Sequence, residues 1–361
     1  MPTLQPPALI LVSGANGYIA VWVVRLLLER GFRVRGTVRS ESKVPYLLQY
    51  FNSLGYNEDK LEVIVVPDIT KEDAFDEAVK GVDGIEHTAS PFHSNVDDPH
   101  EFINPAVNGT VGILKSALKY GDRVKRIIVT SSCASVLSLP LSKPTIFSEE
   151  NWNTGAPKEV EEQGRAAPAM TKYRASKVLA EQAAWKFYED HKSEIRWDLS
   201  VINPPYVFGP AIQAISSPDH LNTSLRQWYD AVYAPSPPAA ERTPALLLNA
   251  NAWVDVRDIA EAHVRALEKE AAGGERIIVC GGLFTWQDWI NTANALPSHP
   301  SLAHPLPKGD PSLLPEEPKE REKIYLLSYD VSKAQRLLDI KYKTMEETTR
   351  DSLEYFSKKG W

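Results

Sequence analysis

Ala8-Leu9-Ile10-Leu11-Val12-Ser13-Gly14-Ala15-Asn16-Gly17-Tyr18-Ile19-Ala20 is the stretch that decides the fold. The apolar run from Ala8 into Ser13 reads as a strand buried on both faces, as in a parallel sheet. From Tyr18 to Glu29 the apolar residues Ile19, Trp22, Val23, Leu26 and Leu27 recur at helical spacing, and Gly31 stands where a left-handed cap is wanted. Strand and helix are joined by Gly-x-x-Gly-x-x-Ala. Gly14 permits the tight turn, Gly17 lets the backbone approach a pyrophosphate, and Ala20 allows close packing of helix on strand. The segment Gly14, Asn16, Gly17, Tyr18 and Ile19 then turns the free N–H groups of a helix N-terminus toward an anion. A merely tight strand–helix turn is the alternative reading of the motif alone.

Further strands are expected at Arg33–Val38, Leu61–Val66, Gly84–Thr88, Arg126–Thr130 and Asp198–Asn203, with helical patterns between them. This alternation predicts an α/β, Rossmann-type, doubly wound parallel sheet. After Asn203 the texture changes. Prolines 204, 205, 210, 235, 237, 238 and 244, and a Pro-rich stretch from Pro297 to Pro318, predict a smaller, loop-rich C-terminal substrate lobe. Residues 1–203 are expected to bind the cofactor and 204–361 mainly the substrate, with a segment near 246–282 returning to the first domain. Helices are still legible at Val256–Glu270, Asp330–Leu338 and about Thr344–Phe356.

The bulk numbers narrow the function classes. With 361 residues, 43% hydrophobic and 24% charged, the chain is long enough for a substantial core and ordinary for a soluble protein. A net charge of −7 gives no basic surface for nucleic acid. Two cysteines, Cys133 and Cys280, provide no disulfide framework. The first apolar run is too short to span a bilayer, and no signal-peptide pattern precedes it. The expectation is a cytoplasmic monomer or homodimer acting on a small molecule, without membrane or nucleic-acid partners. No His/Cys/Asp cluster has metal-ligand spacing, so no metal site is expected.

The end of the second strand selects the dinucleotide. It reads Gly36-Thr37-Val38-Arg39-Ser40, with Lys43 beyond, and carries no Asp or Glu to hold ribose hydroxyls. Arg39 offers a planar fork of donors and Lys43 a second charge, which suits the 2′-phosphate of NADPH/NADP⁺. Asp68 and Ile69 follow the third strand and suit adenine contacts, although Asp68 serves equally well as a helix N-cap. Thr88, Ala89 and Ser90 end the fourth strand at the ligand-binding edge. His87 precedes them and reads as a packed histidine.

Tyr173-Arg174-Ala175-Ser176-Lys177 carries the chemistry. Tyrosine and lysine four apart share a helix face. A phenol has an ordinary pKa near 10, and a neighbouring ammonium favours the phenolate, so Lys177 is expected to lower it. Tyr173 then exchanges a proton with a carbonyl oxygen while Lys177 also reaches the nicotinamide ribose. Upstream, Ile128-Val129-Thr130-Ser131-Ser132 ends the fifth strand. A serine there can stabilise a developing alkoxide, with Ser131 and Ser132 as rivals. No Gly-x-Ser-x-Gly elbow supports a hydrolase.

With these residues in place, the chain resembles the extended short-chain dehydrogenases/reductases, and within them the dihydroflavonol-reductase-like subgroup with its fungal NADPH-dependent carbonyl and aldehyde reductases. The likeness runs through Ser13–Ala20, Gly36–Lys43, His87–Phe92, Val129–Ser132, Tyr173–Lys177, Asn203–Pro210, Trp253–Ala260 and Ser328–Lys333. It implies Ser132, Tyr173 and Lys177 as the catalytic set, Arg39 and Lys43 as 2′-phosphate contacts, Thr130 near the cofactor, and Pro204 through Val207 along the nicotinamide. It places Phe92, Cys133 and Tyr206, with Ser132, around the substrate. Cys133 also raises a nucleophilic-cysteine reading beside that of a pocket-wall thiol. The cinnamoyl-CoA reductase signature is absent, since Met170-Thr171-Lys172 precedes the tyrosine.

The function expected from all this is NADPH-dependent reduction of aldehydes or ketones to alcohols. A 3β-hydroxysteroid dehydrogenase-like or sugar-nucleotide-modifying enzyme is the alternative within the fold, and a non-catalytic NADP(H)-binding sensor the alternative outside enzymes.

Overall fold

A computed structural model describes residues 3–90, 97–235, 242–298 and 302–361. The expected Phe92 contact therefore lies outside the described residues. Strands run β1 (Leu9–Ser13), β2 (Arg33–Val38), β3 (Leu61–Val65), β4 (Gly84–His87), β5 (Arg126–Thr130), β6 (Thr145–Phe147), β7 (Asp198–Asn203), β8 (Tyr206–Phe208), β9 (Asn251–Asp255), β10 (Arg276–Ile278), β11 (Gly282–Phe284) and β12 (Leu327–Tyr329). Helices run α1 (Tyr18–Glu29), α2 (Val44–Ser53), α3 (His100–Tyr120), α4 (Gly155–Gln163), α5 (Ala169–Asp190), α6 (Thr223–Trp228), α7 (Pro244–Leu247), α8 (Val256–Glu268), α9 (Trp286–Ala295), α10 (Pro318–Glu322), α11 (Ser332–Leu338) and α12 (Met345–Lys359).

Seven strands form one parallel sheet in the order β3-β2-β1-β4-β5-β7-β10. The order reverses at β1, and the crevice beyond the C-terminal ends of β1 and β4 is where a doubly wound sheet binds ligand. Because successive side chains leave a strand on opposite faces, Ile10 and Val12 enter one core with α1 and α8. Leu11, Ile127 and Val129 enter the other, with α3 and α5. This double burial is why the strands read as unbroken apolar runs.

Beyond Asn203 the chain is richer in aromatic packing than its prolines suggest. Phe208, Trp228, Phe284, Trp289 and Phe356 are each buried, with ring centroids 5.3 Å apart for Phe208–Trp289 and 5.9 Å for Trp228–Phe356. This cluster is continuous with the core under α1 and α8. Helix α12 begins at a capping box between Thr344 and Glu347 and runs three residues past the expected end. Helix α8 stops at Glu268, two residues early, and passes into a short 3₁₀ turn. No α-helix follows Asp68: the chain continues in turns to Gly81, so the helix-cap alternative for that residue falls away. No described helix is long and apolar enough to cross a membrane.

Arg126, a charge at the head of a core strand, has no exposure to water. Its Nε and Nη2 donate to Asp198 on β7 at 2.5 and 2.7 Å, and Nη1 donates to the carbonyls of Ala266 and Lys269 at 2.6 Å. Removing the acid strands a buried guanidinium, which costs about 3–5 kcal/mol. Asp198→Ala is therefore expected to lower the urea unfolding midpoint by a corresponding amount with the slope retained. An unchanged midpoint would refute this account of the pair.

Candidate active site

The loop between β1 and α1 has the shape a dinucleotide requires. Gly14 sits at φ +65°, and a β-carbon there would meet the Cα of Ala89 at 3.2 Å. The amide of Gly14 donates to Thr37 Oγ1 at 3.2 Å and that of Ala15 to the Thr37 carbonyl at 2.8 Å, holding the loop against the end of β2. Helix α1 follows Gly17 at its N-cap, with no side-chain cap and no acid in its first turn. Its leading N–H groups thus face outward as an anion site. Asn16 and Ile19 are half-buried beside it. Tyr18 is used differently: its hydroxyl donates to the Gly209 carbonyl at 2.7 Å, so this side chain ties α1 to the segment after β8 and only its backbone faces the anion site.

Arg39 and Lys43 are exposed at the end of β2 and make no ion pair among the described residues. Asp68, also exposed, accepts from the Thr70 amide and hydroxyl at 2.9 and 2.7 Å. These bonds, aided by Lys71 and Arg39, hold its carboxyl below the usual range. Ile69 packs against α3, where a β-carbon on Gly109 would meet its Cδ1 at 2.9 Å. Cations, the exposed helix end and the glycine cradle fit a phosphorylated dinucleotide.

Ser13 sews β1 to β4. Its hydroxyl accepts from the amides of Thr88 and Ala89 at 3.0 Å and contacts His87 Nδ1 at 2.9 Å. Burial and the nearby Lys177 push the His87 pKa down to about 3, so it is a neutral, packed histidine. Thr130 lies at the end of β5 with its hydroxyl 3.1 Å from His263 Nε2, and His263 Nδ1 is 2.6 Å from Glu86. That hydroxyl is thus turned inward to a buried pair.

Ser132, Tyr173 and Lys177 line one cavity of about 1390 Å³ together with Ser90, Cys133 and Tyr206. Ser132 Oγ accepts from the Ala134 amide at 3.1 Å and hydrogen-bonds Tyr173. Lys177 Nζ donates to Ser90 Oγ at 3.0 Å and lies 5.9 Å from the centroid of the Tyr173 ring. Ser131 is turned away, its hydroxyl donating to Glu181 at 2.5 Å. Pro204 accepts the Cys133 amide at 2.8 Å, Val207 is buried in β8, and Tyr206 stacks on Phe208 at 5.8 Å. Burial lifts the Cys133 thiol well above its ordinary pKa, and its Sγ faces the Asn203 carbonyl at 3.2 Å. This is a wall residue held as a thiol and not a nucleophile.

The expectation that Lys177 lowers the Tyr173 pKa is not met. Burial raises the phenol, with the Ser132 hydrogen bond opposing, and burial lowers the lysine to about 8, with Glu181 opposing. For each group desolvation is the largest influence.

The chain matches the NAD dependent epimerase/dehydratase family over residues 10–281. It belongs to that family. This epimerase/dehydratase chain is 35% identical over 351 residues to the NADPH-dependent methylglyoxal reductase GRE2 of Saccharomyces cerevisiae, covering 95% of this chain and 96% of the relative. It is 34% identical over 357 residues to ketoreductase azaE of Aspergillus niger, covering 95% and 96%. The crystal structure of yeast methylglyoxal/isovaleraldehyde reductase Gre2 complexed with NADPH matches with a TM-score of 0.82 at 32% identity, covering 98% of this chain and 99% of that one. The expected resemblance to extended reductases with fungal carbonyl-reducing relatives is thereby borne out.

Sequence reading passed over Glu181. It has no exposed surface and accepts from Ser131, Ser135, Asn203 and Arg276. The signal was present, because Glu181 continues the four-residue spacing of Tyr173 and Lys177 along α5.

A lysine at about 8 sets a pH limit. The charged form is present below that value and lost as pH rises through it. The kcat/KM for NADPH, which reports groups of the free enzyme, is expected to fall above pH about 8. In Lys177→Arg, whose guanidinium does not titrate, that descending limb should vanish; its persistence would assign it elsewhere.

Proposed function

We infer that the protein is an NADPH-dependent reductase of aldehydes or ketones to alcohols. Two lines support the activity and cofactor: relatives named for such reductions, and their NADPH complexes. One observation carries the residue roles: Ser132, Tyr173 and Lys177 converge on a single cavity beside the end of β4.

Arg39 and Lys43 would hold the 2′-phosphate, and Gly14, Gly17 and the start of α1 the pyrophosphate. Asp68, Ile69, Thr88, Ala89 and Ser90 would frame the remaining nucleoside groups, and Pro204 with Val207 the nicotinamide. When bound there, NADPH supplies the hydride. The chain supplies the rest. Ser132 orients the carbonyl oxygen, and Tyr173 donates the proton that converts a developing alkoxide to alcohol. The raised phenol pKa keeps that proton in place at neutral pH, the state reduction needs. Lys177 then stabilises the phenolate left behind and holds the ribose. Cys133 and Tyr206 shape the wall for the substrate.

Residues 1–203, with the returning segment near 246–282, form the proposed cofactor unit, and the rest of the chain the proposed substrate lobe. The retained Tyr173–Lys177 pair argues against a non-catalytic sensor. The unbridged thiols of Cys133 and Cys280 suit the cytoplasm as the proposed setting.

Tyr173→Phe is expected to reduce turnover about 10²- to 10⁴-fold while NADPH still quenches tryptophan fluorescence; full activity would sink the mechanism. Replacing Arg39 and Lys43 together by Ser should raise KM for NADPH about ten- to hundredfold, from loss of charged hydrogen bonds, with little change for NADH. Equal effects on both cofactors would place the 2′-phosphate elsewhere.

A further inference from the structure

The first turns of α5 bring Met170, Tyr173, Arg174 and Lys177 to the cavity, the i, i+3, i+4, i+7 stripe of one helix face. Three of these have uses: Met170 is apolar wall, and Tyr173 and Lys177 carry the chemistry. Arg174 has none so far. Its guanidinium is half-buried and, among the described residues, makes no hydrogen bond or ion pair. Glu159 is the one carboxylate acting on it, and it does so from beyond ion-pair distance; Tyr206 and Tyr329 are its other electrostatic neighbours.

The rest of the lining sharpens this. In a chain of net charge −7, no Asp or Glu among the described residues lines the cavity, and the cations among them are Arg174 and Lys177. Lys177 is engaged with Ser90, and the proposed phosphate contacts of the cofactor lie at β2, across β1 and β4 from this wall. Elsewhere the lining offers neutral polar groups, including Asn222, Gln227, Asn249 and Asn251. A cation withdrawn from water without a counter-charge is costly. A substrate that brings the counter-charge recovers that cost at the moment of binding. The guanidinium fork matches a carboxylate with two parallel hydrogen bonds.

We propose that Arg174 anchors a carboxylate on the carbonyl substrate, making this enzyme a reductase of oxo-acids. This rests on the reductase reading above and names its substrate class. Arg174 adjoins Tyr173 in the chain, so the carboxylate sits on the same molecule as the reacting carbonyl, offset along the cavity wall. A cavity of about 1390 Å³ leaves room for a body far larger than a three-carbon aldehyde.

The test is a series of oxo-carboxylates of increasing length, each paired with its methyl ester, and one oxoalkyl phosphate, assayed by NADPH oxidation. Wild type is expected to prefer at least one acid over its ester by about ten- to hundredfold in kcat/KM, the worth of a charged hydrogen-bonded pair. In Arg174→Gln the ratio of acid to ester should fall close to one, chiefly through KM. Arg174→Lys should keep part of the preference, with the charge but not the fork. Because each ratio is internal to one variant, overall loss of activity does not obscure it, and the wild-type ratio stands even if a variant fails to fold. Esters reduced as well as every acid would overturn the assignment, as would a preference for the phosphate or an unchanged ratio in Arg174→Gln. Failure of NADPH oxidation with every compound, esters included, would remove the reductase reading as well.

Discussion

A single carboxylate organises the site. Glu181 is wholly withdrawn from water, which is tolerable only if its lone pairs are taken. Its partners come from the end of β5 through Ser131, the turn after it through Ser135, β7 through Asn203 and β10 through Arg276. Glu181 lies one turn beyond Lys177 and two beyond Tyr173 on α5. The bonds that satisfy it therefore also set how far that helix is rotated toward the sheet. They consume Ser131 and leave its neighbour Ser132, on the opposite side of an extended chain, for the cavity. The bonds that satisfy one buried acid thus also help to place Ser132, Tyr173 and Lys177 around the cavity.

The same acid has an electrostatic consequence. Burial disfavours charge on three groups around the cavity: it raises Tyr173, lowers Lys177, and holds His87 neutral. Glu181 is the group that pulls the lysine back toward its charged form. A phenol that holds its proton at neutral pH thus stands beside a lysine whose charge is lost only as pH rises through about 8. In the proposed reaction the charge of Lys177 matters most after transfer, when a buried phenolate needs a counter-ion.

The doubly wound sheet was legible because its strands are buried on both faces and its glycine turn has a physical reason at each position. Gly14 shows that reason directly, in its positive φ and its contact with Ala89. The cavity residues Ser132, Tyr173 and Lys177 were legible because strand ends and helical spacing fix where they point. What could not be read were side chains whose partners are remote in sequence. Tyr18 looked like a cofactor contact, yet its hydroxyl is taken by Gly209. The inward turn of Thr130 depends on His263, more than a hundred residues away. The prolines after Asn203 pointed to loops and hid an aromatic core, because rings scattered between Phe208 and Phe356 show no local period.

The cavity is closed by two kinds of chain. One wall comes from the strand ends and α5, locked by Glu181. The other comes from residues 221–227, 248–252 and 324–329, the last carried in by the pairing of β12 with β6. None of these three segments contributes to the Glu181 bonds or to the main sheet. With the proposed roles, the fold separates reactivity from selectivity along the chain. On that reading, exchange of short segments would rewrite the second wall while the bonds around Glu181 stay intact, so new selectivities would be reachable in few steps.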